Sequence, residues 1–85
     1  MELELDYRKC DFHDIEDALR AFIEKKADSI HISNINAAAF SDHFGVEFLD
    51  ITSWEGDWWG KFEFEGTPIN LFGSMWYGYI DIDKE

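Results

Sequence analysis

The stretch WEGDWWGKFEFEG, residues 54–66, decides the predicted fold because it alternates large apolar residues with charged ones. From residue 58 to residue 65 the alternation has a period of two, which is typical of a β-strand with one buried face. One face carries Trp58, Phe62 and Phe64, and the other carries Trp59, Lys61, Glu63 and Glu65. Adjacent strand residues point to opposite faces, so one of the two neighbouring tryptophans joins the core. The other needs a second covering layer or a partner.

Helix periodicity occurs in two places. An apolar stripe at i, i+3, i+4 and i+7 predicts a helix over residues 12–26, with acids in its first turn and lysines in its last. The alanine-rich segment 36–44, which is followed by Gly45, predicts a shorter second helix.

Strand patterns account for most of the remaining chain. Strands are predicted at 2–8, 29–33, 46–52, 58–65 and 69–83, with a hairpin turn at 55–57. The last segment is either one long strand or two strands joined by a turn at Gly73–Ser74, and Gly78 suggests a bulge. We therefore predict a single α+β domain over residues 1–85, with a four- or five-stranded, mainly antiparallel sheet and two helices.

The chain is strongly acidic, with 19 acidic residues against 7 basic ones and a net charge of −12. The imbalance is largest after residue 27, where eleven acids face only Lys61 and Lys84. Such a charge repels nucleic acids and anionic membranes and favours a basic protein partner. We therefore expect no direct binding to nucleic acid or membrane. The plainer alternative is that the acids serve solubility alone.

Catalytic motifs are missing from the sequence. It contains neither the phosphate-binding GxxxxGK[ST] and GxGxxG loops nor the GxSxG and HExxH motifs. Cys10 and His13 are near enough in sequence for a thiol and its base, but a packed cysteine beside an exposed histidine explains them as well. His13, His31 and His43 fall on three different predicted elements, which does not favour a zinc site. We expect a protein that is not an enzyme and that uses no metal or cofactor.

The amino-terminal residues and the cysteine content predict where in the cell the protein is located. Residues 1–9 lack the apolar stretch of a secretory signal, and no apolar run approaches the roughly 18 residues of a membrane span. The single cysteine, Cys10, cannot form an internal disulfide, which is the usual staple of small secreted domains. These features predict a soluble cytoplasmic protein, or one in the host cytoplasm if its source is a virus.

The candidate partner-binding residues are acids and tryptophans that interleave in the second half of the chain. Alternate strand residues lie about 6–7 Å apart, which is comparable with the spacing of phosphates along a nucleic-acid strand. A sheet face lined with carboxylates can therefore imitate a phosphate track, and exposed tryptophans, which are frequent at interface hot spots, can anchor the contact. The predicted site consists of Asp50, Trp54, Glu55, Asp57, Trp59, Glu63, Glu65, Trp76 and Asp81.

These observations favour a non-enzymatic inhibitor that occupies the basic nucleic-acid-binding surface of a larger enzyme or effector. In size, acidity and aromatic content the chain is similar to small phage or mobile-element proteins that block restriction or CRISPR effectors. An immunity protein or antitoxin that neutralises a basic nuclease toxin would use the same physics. Two further alternatives are a small ligand-binding domain that uses the Trp cluster as a pocket, and a homodimer formed through an exposed Trp face.

Overall fold

A computed structural model describes residues 1–44, 49–54, 57–74 and 78–83 of the chain. Its elements are, in chain order, β1 (Glu2–Asp6), α1 (Phe12–Ile23), β2 (Ser29–Ser33), α2 (Ala37–Phe44), β3 (Leu49–Trp54), β4 (Asp57–Phe64), β5 (Thr67–Ser74) and β6 (Tyr79–Asp83). The predicted α+β class, with two helices and a mainly antiparallel sheet, is confirmed.

The described strands form one six-stranded sheet in the order β1-β2-β6-β5-β4-β3. Strands β3 to β6 pair antiparallel with their neighbours in sequence. In contrast, β1 and β2 pair parallel, as a connection through a helix allows, and β2 then pairs antiparallel with β6. As a result, the first and last strands of the chain are separated only by β2.

The sheet has six strands where four or five were expected, because the stretch 69–83 divides into β5 and β6. Of the two alternatives, the one with two strands is confirmed, but its turn at Gly73–Ser74 is wrong. Both residues lie in β5, where Gly73 pairs with Trp58 on one side and with Ile80 on the other. Residues 75–77, between the two strands, lie outside the described residues. Gly78, expected at a bulge, directly precedes β6.

Helix α1 has well-defined signals at both ends. At its start, Asp11 Oδ1 accepts a hydrogen bond from the Asp14 N–H (3.1 Å), and Asp14 Oδ2 accepts one from the Asp11 N–H (3.0 Å). This reciprocal pair is a capping box. The helix ends earlier than predicted because Lys25 adopts a left-handed backbone, with φ of 65°. The N–H of Lys26 then donates a hydrogen bond to the carbonyl of Ala21 (2.8 Å), which completes a Schellman motif.

Both described helices, α1 and α2, pack on one face of the sheet. Their buried side chains belong to the same hydrophobic cluster as the inward-facing strand residues. The cluster contains Ile15, Ala18, Leu19 and Phe40 from the helices, and Ile30, Ile32, Trp58, Phe62, Phe64, Ile69, Leu71, Ile80 and Ile82 from the strands. Burial alternates without a break along β4, so the predicted period of two is confirmed there. Trp58 is the tryptophan that joins the core.

The turn between β4 and β5 corrects one prediction. Glu65 was expected on the outer face of the strand beside Glu63, but β4 ends at Phe64. Glu65 and Gly66 both have positive φ, 50° and 83°, and form the two-residue turn between the paired residues Phe64 and Thr67. The Glu65 carboxylate therefore leaves the line of alternating strand residues and pairs with Arg20 of α1 (3.1 Å).

Candidate functional site: the open face of the sheet

The face of the sheet opposite the helices, called the open face below, carries the outward-pointing residues of the strands. Two large apolar side chains on it are substantially exposed, Trp59 at 40% and Phe72 at 41%. Its carboxylates lie at Glu2, Glu4 and Asp6 of β1, Asp81 and Asp83 of β6, and Asp57 and Glu63 of β4, and the exposed Lys61 of β4 is a basic residue on the same face. The open face therefore combines exposed aromatic surface with a high density of negative charge.

One row of residues crosses the centre of the open face. The strand registers place Glu4 opposite His31, His31 opposite Asp81, Asp81 opposite Phe72, and Phe72 opposite Trp59. Neighbouring strands lie about 4.8 Å apart, so the row spans about 20 Å. Its acidic end lies on β1, β2 and β6, and its aromatic end lies on β5 and β4.

A shallow groove of about 470 Å³ lies over the acidic end of this row. Carboxylates line it from both sides, together with one imidazole and the ring of Phe72. These lining residues are Glu2, Glu4, His31, Phe72, Asp81 and Asp83. Four carboxylates thus share one open groove, which gives it a strongly negative potential.

His31 lies in the groove and contacts both Asp81 and Tyr79. Its Nδ1 shares a hydrogen bond with Asp81 Oδ1, and its ring stacks against Tyr79, with the ring centroids 5.5 Å apart. The His31 and Asp81 side chains remain 40% and 41% exposed. The hydrogen bond holds the Asp81 carboxylate through one of its two oxygens.

The carboxylates of the open face differ from those of the helix side in how far they are neutralised. On the helix side, Arg20 forms ion pairs with Glu16, Asp17 and Glu65 at 3.1–3.8 Å. In the described part of the chain, four open-face carboxylates have no hydrogen bond or ion pair to a described residue. They are Glu4, Asp57, Glu63 and Asp83. Over the ranges that the structure describes, the open face therefore carries several carboxylates that no ion pair neutralises.

The structure brings together only part of the predicted site. Asp57, Trp59, Glu63 and Asp81 lie on the open face, whereas Glu65 lies in the β4–β5 turn and is bound to Arg20. The other predicted site residues cannot be placed. Asp50 and Trp54 lie on β3, for which only the backbone is described, and Glu55 and Trp76 lie outside the described residues.

Half of the groove comes from the first two strands, and no local sequence pattern indicated it. The alternation of residues 2–6 points Glu2 and Glu4 away from the core, but nothing local in the sequence indicates that β1 lies only two strands from β6. His31 and Phe72 were also left out of the predicted site. Residues 2, 4, 31 and 81 all point outward from their strands. Once the strand order is known, this shared orientation identifies the groove.

The Trp cluster does not form one pocket from Trp58 and Trp59. Trp58 is 6% exposed and packs in the core, and Trp59 lies on the open face. Because the sheet separates the two indoles, a ligand pocket cannot be lined by both. This arrangement favours the use of Trp59 as a surface contact.

Cys10 and His13 are the remaining chemical candidates. Burial raises the pKa of the Cys10 thiol, and the nearby carboxylates of Asp14, Asp11 and Asp6 raise it further, so the reactive thiolate is disfavoured. His13 lies beside Glu16, with 3.9 Å between Nδ1 and Oε1. Among the described residues, no three His, Cys, Asp or Glu side chains converge in a way that could hold a metal ion. In the same part of the chain, no helix has the length and apolar character needed to cross a membrane.

Comparison with known proteins gives no relative from which a function could be transferred. No protein-family model, no curated protein and no solved structure matches the chain.

Proposed function

We propose that this protein is a non-enzymatic binding protein whose open face occupies the basic nucleic-acid-binding surface of a larger protein. The observation that carries the proposal is the open face itself. Four of its carboxylates have no hydrogen bond or ion pair to a described residue, and the same face exposes two aromatic side chains, Trp59 and Phe72. A surface that served solubility alone would not need large aromatic groups exposed among its charges.

The charge of the open face selects the class of partner. With a net charge of −12, the chain repels nucleic acids and is attracted to basic surfaces, which are a hallmark of nucleic-acid-binding proteins. Carboxylates at alternate strand positions lie about 6–7 Å apart, which allows them to contact the basic residues that would otherwise hold phosphates. Complementary charge of this kind speeds association and makes it sensitive to salt.

The exposed aromatic side chains supply the uncharged part of the contact. Exposed charges alone contribute little because salt screens them. Trp and other aromatic residues bury large areas and are enriched at the energetic centres of interfaces. Trp59 and Phe72 lie side by side at the aromatic end of the central row, so they can anchor a partner while the carboxylates orient it.

The proposal places the protein in the cytoplasm with its partner, or in the host cytoplasm if the source is a virus. A viral inhibitor of a defence enzyme and an immunity protein against a nuclease toxin both satisfy it, because in each case the partner has a basic nucleic-acid-binding surface. The identity of the captured partner distinguishes these two forms.

The proposal is tested by capture and competition. The immobilised protein is exposed to a lysate of its source or host cell, and bound proteins are eluted with duplex DNA or with RNA. We expect a basic nucleic-acid-binding protein that the competing nucleic acid releases. The Glu4→Gln/Asp81→Asn variant should capture much less of it, whereas Glu24→Gln/Asp42→Asn, which removes the same charge from the helix side, should capture it normally. Bound protein that nucleic acid does not release, or equal capture by both variants, would overturn the proposal.

A further inference from the structure

We propose that the open face takes an arginine side chain of its basic partner, with the guanidinium stacked on Phe72 and paired with Asp81. The inference rests on the proposed function and adds the chemical group that the groove recognises. It is carried by the juxtaposition of Phe72 and Asp81, which lie directly opposite each other on β5 and β6 at the edge of the groove.

The chain already contains this arrangement once, completed by an arginine of its own. On the helix side, the guanidinium of Arg20 lies over the ring of Phe64, 5.8 Å from its centroid, and Arg20 Nε donates to the Glu65 carboxylate at 3.1 Å. An aromatic ring and a neighbouring carboxylate thus hold one guanidinium between them. Phe72 and Asp81 offer the same two groups on the open face, and no arginine among the described residues lies over Phe72.

The geometry of Phe72 and Asp81 also suits these two side chains to hold a guanidinium. Side chains directly opposite each other on antiparallel strands have Cβ atoms about 4.5–5.5 Å apart, which is within the reach of one guanidinium. His31 holds Asp81 Oδ1 and so steadies the carboxylate, and Phe72 is 41% exposed, so its ring is accessible to a partner. Glu4 and Asp83 line the same groove and add attraction for a cation.

The site should prefer arginine to lysine for a physical reason. A guanidinium is planar, more weakly hydrated than an ammonium, and able to stack on an aromatic ring while it donates to a carboxylate. A lysine ammonium gains the charge attraction but not the stacking. Basic nucleic-acid-binding surfaces commonly use arginine to contact phosphates, so they provide such a side chain.

A second copy of this chain is a poor occupant of the same face. Two copies that met through their open faces would bring their carboxylates together with little compensating basic charge, since each carries a net charge of −12. Light scattering of the wild-type protein at low and high salt checks this point, and a dimer that is lost in the Trp59→Ser variant would overturn the assignment of the face to a basic partner.

Two peptides of equal charge, ten arginines and ten lysines, test the inference by titration calorimetry. We expect wild-type protein to bind the arginine peptide at least threefold more tightly. Phe72→Leu should remove most of that preference while changing the affinity for the lysine peptide less than twofold. Because Phe72 is already half exposed, this variant is expected to fold, and its thermal unfolding confirms that. Arginine preference retained in Phe72→Leu, or absent from the wild type, would overturn the inference.

The same titrations separate the inference from the proposed function. If Glu4→Gln/Asp81→Asn weakens both peptides equally and wild type shows no arginine preference, acidic docking stands and arginine recognition fails. If that variant binds both peptides as the wild type does, the open face is not the basic-partner site and the proposed function fails with it.

Discussion

The indole of Trp58 lies directly over Gly73 on the neighbouring strand. A Cβ atom added at Gly73 would come well inside 3.0 Å of the indole ring, closer than real Cβ atoms approach any group. The two residues are partners in the β4–β5 register. Because Gly73 has no side chain, the indole of Trp58 fits into the small core. The next residue, Trp59, then points to the open face. The arrangement of the open face thus depends on a glycine that faces away from it.

Gly73→Ala is expected to destabilise the protein by about 1–3 kcal/mol, since the added methyl group overpacks the site against Trp58. The measurement is chemical denaturation followed by Trp fluorescence. Gly78→Ala is the matched control, because a Cβ there would meet only ordinary contacts with the Ile35 and Asn34 backbone at 3.6 Å or more. Equal stability of Gly73→Ala and wild type would show that the indole does not occupy this place.

The alternation in residues 58–65 predicted the strand β4 and its two faces, because burial on one side leaves a period of two in the sequence. It also predicted that Trp58 and Trp59 separate. It did not show how an indole fits into the core at Trp58, because that depends on Gly73, whose pairing with Trp58 is set by the hairpin. The local pattern therefore predicts the two faces of β4, and the packing against Gly73 explains how Trp58 fits into the core.

The location of the site could not be predicted from local pattern. Glu4 and Asp81 lie far apart in the sequence, and they share a groove because β2 pairs with both β1 and β6. The break between β5 and β6 has a similar effect. One continuous strand would have placed Ile80 on the same face as Phe72, whereas the observed register buries Ile80 and exposes Phe72.

Lys25→Gly is expected to stabilise the protein by about 0.5–1 kcal/mol. Lys25 has φ of 65° at the end of α1, and a residue with a Cβ pays about 1–2 kcal/mol for this conformation. Glycine removes that cost but loses more entropy on folding, so a part of the gain remains. Thermal unfolding monitored by circular dichroism measures the change. Lys25→Ala, which loses the same charge and keeps the Cβ, is the control, and a glycine variant no more stable than it would contradict the prediction.

Asp6 is expected to make stability depend on pH in the acid range. The Arg8 side chain, the Arg8 backbone N–H and Asn34 donate hydrogen bonds to the Asp6 carboxylate and lower its pKa well below its usual range. A carboxyl group whose pKa is lower in the folded chain stabilises the fold above its unfolded pKa, near 4, and this contribution is lost as the pH falls further.

Asp6→Asn should therefore lower the melting temperature at pH 7, and the difference from wild type should shrink between about pH 4 and pH 2. Melting curves at a series of pH values give both quantities. Asp42→Asn, which changes an exposed carboxylate of α2, serves as the control for the loss of one charge. A difference between Asp6→Asn and wild type that stays constant down to pH 2 would rule out this linkage.

Crowded carboxylates on the open face should reduce the stability of the free protein. Glu4→Gln is expected to raise the melting temperature at low ionic strength, because it relieves repulsion from the other acids of the groove. The gain should largely disappear at about 1 M salt, where charges are screened beyond about 3 Å. An increase that is independent of salt would mean that Glu4 acts through packing rather than charge.

The most direct test of the central claim measures the affinity of the captured partner for three forms of the protein, with and without duplex DNA. The account predicts that Glu4→Gln/Asp81→Asn binds at least tenfold more weakly than wild type. Glu24→Gln/Asp42→Asn, with the same net charge, should stay within twofold, and duplex DNA should compete with wild-type binding. Equal losses in the two variants, or binding that DNA leaves unchanged, would contradict the claim that the open face occupies a nucleic-acid-binding surface.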